Sequence, residues 1–129
     1  MLREPPPDTD RDDAGDAAAP SMTDVLRAAL EPLVARIDTA FVYGPVARGA
    51  LSEHHHIEIV IIGTDITYAD VLARLIVAAK YLGRSINPSV YSADEWTRKL
   101  AAGNRVLHAV LKQRKLFVVG SDERIPQPR

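Results

Sequence analysis

The residues best equipped for chemistry lie in one short run, His54-His55-His56 followed by Glu58. On an extended segment alternate side chains share a face, so His54, His56 and Glu58 would point together, with His55 opposite. Two imidazoles and a carboxylate are a donor set for Zn²⁺ or another transition metal, with a coordination position left open. Three ligands from one short strand seldom enclose an ion without help from elsewhere, so the competing reading is a half-exposed, unconstrained histidine run. Glu58 is either a metal ligand or an acid paired with a neighbouring histidine. Just upstream, Gly44 is the residue best able to turn sharply, with Pro45 following it, and Arg48 could reach a phosphate, pair with Glu58, or stay solvated. His108 lies in an apolar helical pattern and reads as structural or surface. Arg98, Lys99, Arg105, Lys112, Arg114 and Lys115 could form a basic face for phosphate or an acidic partner, although such charge groups are usually solvated. Tyr43, Tyr68, Tyr81 and Tyr91 show no arrangement typical of stacking on single-stranded nucleic acid.

The elements that would position these residues centre on Phe41–Gly63. Phe41-Val42-Tyr43 is β-prone, and Gly44 suits a sharp turn into a short helix, followed by a polar loop. Ile57 to Ile62 is nearly all β-branched with Glu58 as its one polar residue, the composition of a strand buried on both faces. Upstream, Ser21 and Asp24 make a capping-box start to a helix with Val25, Leu26, Ala29, Leu30, Leu33, Val34 and Ile37 at helical spacing, kinked or divided by Pro32. Downstream, Thr67 and Asp70 open a second capped helix with Val71, Leu72, Leu75, Ile76, Ala79 and Leu82 inward and Gly83 as its stop. Ser85–Ser92 is a strand that Pro88 assigns to an edge. Ser92 and Glu95 open a helix carrying Trp96 and Leu100 and ended by Gly103. Asn104 caps a short helix, and Leu116–Val119 is the last strand. This order predicts an α/β (α+β) domain with a mixed β-sheet and flanking helices.

The 129 residues, 47% hydrophobic, suit one domain with a substantial core. A net charge of −1 and a pI near 6.4 give no electrostatic case for binding nucleic acid or a membrane surface. Residues 1–20 set Arg3 and Arg11 against Glu4, Asp8, Asp10, Asp12, Asp13 and Asp16 and hold few large apolar residues, so they read as a disordered acidic, proline-rich tail. Residues 21–120 are then the domain and 121–129 a polar C-terminal tail. The lack of cysteine fits a reducing compartment. With no membrane-length apolar run and no signal-like N-terminus, the expected location is the cytoplasm.

Val42-Tyr43-Gly44, Ala47-Arg48-Gly49 and Ile57-Glu58-Ile59-Val60-Ile61-Ile62-Gly63 together resemble the core of the minimal nucleotidyltransferases, small relatives of the DNA polymerase β palm. Leu82-Gly83-Arg84, Asn87 to Ser92 and Lys115 to Gly120 extend the resemblance to a bacterial subfamily whose domain often follows a winged-helix domain in transcriptional regulators, over roughly residues 23–120. The resemblance implies nucleotide binding around Gly44, Pro45 and Arg48, and catalysis through two metal-binding carboxylates. At those two places stand His56 and Glu58. The family's serine after the glycine is Pro45, which offers neither a hydroxyl nor an N–H to phosphate. A third carboxylate expected on a later strand has no obvious counterpart in Ile86–Tyr91. Mg²⁺, a hard cation that favours oxygen donors, is served by Glu58 but poorly by His56. The expectation is a nucleotidyltransferase fold with a degenerate motif, acting as a regulatory or binding module. The alternatives are an active enzyme transferring NMP from an NTP to a protein or small molecule, and a transition-metal domain using His54, His56 and Glu58. The family implies an NTP, a homodimer or a protein partner of toxin–antitoxin type as ligands. Residues 1–20 hold nothing that could fold as a DNA-binding domain, so any regulatory role would run through a separate partner.

Overall fold

The structure is a computed structural model and describes residues 20–49 and 56–127. Helix α1 (Met22–Leu30) begins at Ser21, whose hydroxyl accepts the Asp24 N–H while the Asp24 carboxylate accepts the Ser21 N–H. Pro32 does divide the leading helix: it sits in the first turn of a 3₁₀ helix, Glu31–Arg36, where its missing N–H costs no helical bond. Ile37 is not the last helical residue that its spacing predicts. It opens β1 (Ile37–Tyr43), so this strand starts four residues before the β-prone run at Phe41. Its buried side chain serves the core from either geometry, which is why the helical spacing misleads.

Strand β2 (Ile57–Gly63) is buried throughout except at Glu58, which is half-buried. Next come α2 (Tyr68–Leu82), β3 (Ile86–Tyr91), α3 (Ala93–Ala101), α4 (Arg105–Lys112) and β4 (Leu116–Val119). Each of these helices has the predicted cap: Thr67 with Asp70 on α2, Ser92 on α3 and Asn104 on α4. Gly83 closes α2 in the left-handed conformation at φ 67°. The inward face of α2 is Val71, Leu75 and Ala78, whereas Ile76 is 48% exposed.

The four strands form one sheet in the order β3-β2-β1-β4. β1 is antiparallel to both β2 and β4, and β2 is parallel to β3. The sheet is therefore mixed, and β3 lies at an edge, where Pro88 is tolerated. Helices α1 and α2 cover one face with Leu26, Leu30, Val71 and Leu75 against Val42, Ile57, Ile59 and Ile61. Helices α3 and α4 cover the other, where Trp96, Leu100, Leu107 and Val110 meet Phe41, Val60 and Ile62. A strand caught between two helical layers must be apolar on both sides, which accounts for the Ile-Val-Ile-Ile run.

The C-terminal segment is more than a polar tail. A short 3₁₀ turn, Asp122–Arg124, delivers Ile125 to the second cluster, where it is 3% exposed. The expected tail at residues 1–20 lies outside the described residues apart from Pro20.

Candidate functional site

Strand β1 ends at Tyr43, and Gly44 takes φ 84°, a conformation that a side chain would strain. A Cβ there would rest 3.6 Å from Glu58 Cγ, so the backbone angle, rather than space, demands glycine. The expected short helix is a single turn over residues 45–49. The Arg48 N–H reaches the carbonyls of Gly44 at 3.2 Å and Pro45 at 3.1 Å, and the Gly49 N–H reaches Val46 at 3.1 Å. Pro45 fits at the start of this turn because its N–H would have no partner within it. Val46 and Ala47 anchor the turn in the core, which throws Arg48 outward. The Arg48 guanidinium bonds Gln113 Oε1 at 3.4 Å and does not pair with Glu58.

Glu58, the second residue of β2, is paired in register with Tyr43 on β1 and Asn87 on β3. Partners in register present side chains to the same face, so the three form a row across the sheet. Asn87 Nδ2 donates to Glu58 Oε1 at 3.0 Å. One row deeper on this face lie Phe41, Val60 and Ser89; beyond them Tyr91 packs edge-on against Trp96 with ring centres 5.3 Å apart. The Tyr43 hydroxyl is held above its usual pKa, chiefly by burial and then by the charges of Glu58 and Tyr91. Tyr91 is raised by burial first and by Glu95 second, with a Ser89 hydrogen bond in partial opposition. Both phenols therefore stay neutral through the physiological range and can serve as hydrogen-bond donors beside the carboxylate.

His56 is exposed just before β2, two positions ahead of Glu58. His54 lies outside the described residues, so the proposed metal trio cannot be assembled from them, and no three His, Cys, Asp or Glu among the described residues could hold a metal ion. Paired Mg²⁺ ions need several oxygen donors in near-octahedral array, with carboxylates shared between them. The residues here do not fit that group. Among the described residues one carboxylate is present in this row, it already accepts an amide hydrogen, and its neighbours are an imidazole and two phenols.

The register contributes Asn87, which sequence reasoning missed. β3 carries an amide beside Glu58, where the family resemblance leads to the expectation of a carboxylate on a later strand. Asn-Pro inside an edge strand was the available signal, but it reads equally well as turn chemistry. His108 proves structural: its Nε2 meets the Leu100 carbonyl at 2.9 Å and ties α4 to α3. Two of the six basic residues are already engaged within the chain. Arg98 pairs with Asp94 at 2.9 Å, while Lys115 bonds the carbonyls of Leu111 and Gln113 and lies 5.8 Å from the centre of the Phe41 ring.

No known family model matches the chain, and no curated protein matches it. Among solved structures, it is similar to a toxin–antitoxin solved with AMP-PNP, at 12% identity and a TM-score of 0.55, covering 78% of this chain and 75% of that one. It is equally similar to a doubly substituted MntA–HpeT toxin–antitoxin, at 13% identity, TM-score 0.55 and the same coverage. At such identities the likeness speaks for the fold. The mixed four-stranded sheet with its flanking helices is consistent with the nucleotidyltransferase-like fold expected from the sequence.

Proposed function

We propose that the chain is a nucleotidyltransferase-fold binding or regulatory module in which metal-dependent nucleotidyl transfer is lost or severely impaired. The observation that carries this reading is the Asn87–Glu58 hydrogen bond at 3.0 Å. It occupies the one carboxylate at the head of the central strands with a neutral donor, at a place where catalysis would need a second anionic oxygen ligand. Pro45 supports the reading by withholding an N–H from any phosphate at the Gly44 turn. His56 supports it as a poor Mg²⁺ ligand beside Glu58. Both structural neighbours were solved as toxin–antitoxin, one of them with AMP-PNP, so a nucleotide and a protein partner are the ligands to try.

Titration of the full chain with ATP, with and without Mg²⁺, followed by calorimetry or amide NMR shifts, tests this. Wild type should show no Mg²⁺-dependent increment. The triple variant Pro45→Ser, His56→Asp, Asn87→Asp should gain one that is centred on residues 44–49 and 58. Saturable Mg²⁺-dependent binding by wild type, abolished by Glu58→Ala, would overturn the proposal and point to an active transferase. Zn²⁺-dependent stabilisation abolished by His56→Ala would instead assign the site to a transition metal.

A further inference from the structure

Helix α2 carries on its outer side a stripe that no other described element covers. Asp70, Ala73, Val77 and Lys80 follow one another at intervals of three, four and three residues, the spacing of a helix-pairing seam. All four are exposed, Val77 at 68%, and they are flanked by Ile76 at 48% and Tyr81 at 65%. Most of the large exposed apolar residues of the described structure are thus on one helix. Beside the stripe runs a groove of about 450 Å³ between α1 and α2, lined by Val25, Ala28, Ala29, Val77, Ala78 and Tyr81. It continues past Pro32 and Ala73 in a recess of about 190 Å³.

We infer that this face binds a second copy of the chain, with α2 packed antiparallel against α2 of that copy about a two-fold axis midway between Ala73 and Val77. The charge pattern selects this occupant. Under such an axis Ala73 meets the other copy's Val77, Asp70 meets its Lys80, and Tyr81 covers its Ala69, each contact occurring twice as an isologous interface requires. A parallel pair in register would instead set Asp70 on Asp70 and Lys80 on Lys80. The small side chains at positions 69 and 73 allow the helices to approach closely at the centre, where the valines and tyrosines supply the apolar area. Asp70 is suited to its part. Its Oδ2 accepts the Thr67 N–H at 3.1 Å, which holds its pKa low and keeps it ionised, while Oδ1 remains to receive a lysine. The stripe carries one acid, one base and an apolar layer between them, and this suits a copy of itself better than a predominantly acidic segment such as residues 1–19, which set six acids against two arginines. The inference is independent of the site at Glu58.

Sedimentation of the full chain over a range of concentrations should show a reversible monomer–dimer equilibrium. Val77→Asp should weaken it at least about tenfold. Asp70→Lys and Lys80→Glu place like charges opposite each other, so each protein alone should be driven to monomer. An equimolar mixture should recover a heterodimer, because both cross-pairs again have opposite signs. Circular dichroism confirms that each variant is folded. Should Asp70→Lys unfold for want of its helix cap, Ala73→Cys mixed with Val77→Cys replaces that arm: the chain has no cysteine of its own, so a mixed disulfide should dominate over either homodimer. A wild type monomeric at every concentration overturns the inference, as does a dimer indifferent to Val77→Asp and Lys80→Glu. A monomer whose groove resonances shift when residues 1–19 are removed also overturns it, and assigns the groove to the chain's own N-terminal segment.

Discussion

Replacing Asn87 with aspartate tests the site with a change of little more than one atom. The amide that donates to Glu58 Oε1 at 3.0 Å becomes a second carboxylate in the same place. Two effects add. A hydrogen bond to a charged acceptor contributes about 1.5–3 kcal/mol when well shielded, and about 1 kcal/mol is appropriate here because Glu58 is half-buried and Asn87 exposed. Two charges about 4 Å apart repel by about 1 kcal/mol in water and about 4 kcal/mol at an effective dielectric constant of 20, so about 1–2 kcal/mol suits this partly wet position. The variant should therefore lose about 2–3 kcal/mol near neutral pH, which is about 10 °C or more in melting temperature for a domain of this size. The loss should also depend on pH with a definite sign. Between them the two acids hold one proton more tightly in the folded protein than in the unfolded chain. The deficit relative to wild type is then largest above that raised pKa and shrinks as the pH falls through it. Asn87→Ala, which removes the bond without adding charge, should show a smaller deficit. Urea melts of the three proteins at neutral and mildly acidic pH decide the matter. An Asn87→Asp protein as stable as wild type, or a deficit flat with pH, would refute the contact and with it the reasoning about the site. Divalent cations add a further reading: Mg²⁺ should restore part of the lost stability at equal ionic strength in Asn87→Asp and leave wild type unchanged.

Four further outcomes follow from the packing. Ile125→Ala should cost about 2–3 kcal/mol in a urea melt, since the residue is 3% exposed in the second core cluster; an unchanged midpoint would return the C-terminal segment to the status of a tail. Gly63→Ala should cost at least about 3 kcal/mol or abolish soluble expression, because a Cβ would overlap the Arg36 carbonyl oxygen. Thr67→Val should cost about 1 kcal/mol by removing the N-cap hydroxyl of α2, measurable by thermal melting. The same substitution should raise the Asp70 pKa only part of the way toward the ordinary carboxylate range, because the Thr67 backbone N–H, the largest cause of its lowering, survives in valine and only the side-chain hydrogen bond is lost; the stabilisation linked to Asp70 is present above the unfolded pKa and lost as pH falls through the folded one, which carboxyl NMR titration would follow.

Most of the architecture is legible in the sequence because its signals are local. Three capped helix starts and the helix stop at Gly83 depend on residues within one turn of one another, and each is found where the side-chain chemistry places it. Pro88 names an edge strand because a missing N–H excludes the middle of a sheet, and the sheet order bears this out. The misreadings share a different cause. Ile37 fits a helical period but is claimed by the strand that follows, and Ile125 looks like part of a polar tail until the second core cluster accepts it. In both cases a distant surface decides, and no local pattern reports that surface.

The candidate site is less legible for the same reason in a sharper form. Gly44 and Glu58 stand out through local rarity, one as the turn after a strand and the other as the single acid in an apolar run. Asn87 has no such mark: it becomes important only because the parallel register of β2 with β3 sets it opposite Glu58, and a shift of one residue would turn it to the other face. That register also bears on the proposed reading of the site. Removing a carboxylate ligand from an active site would leave its partner acid half-buried without a donor, at a cost in stability. Here the third strand supplies a neutral donor to that acid, and two neutral tyrosines line the same face. Asn87 thus gives Glu58 a hydrogen-bond partner within the row. On the proposed reading of a binding module, the exposed face of α2, on the opposite side of the sheet, is where that binding would be sought first.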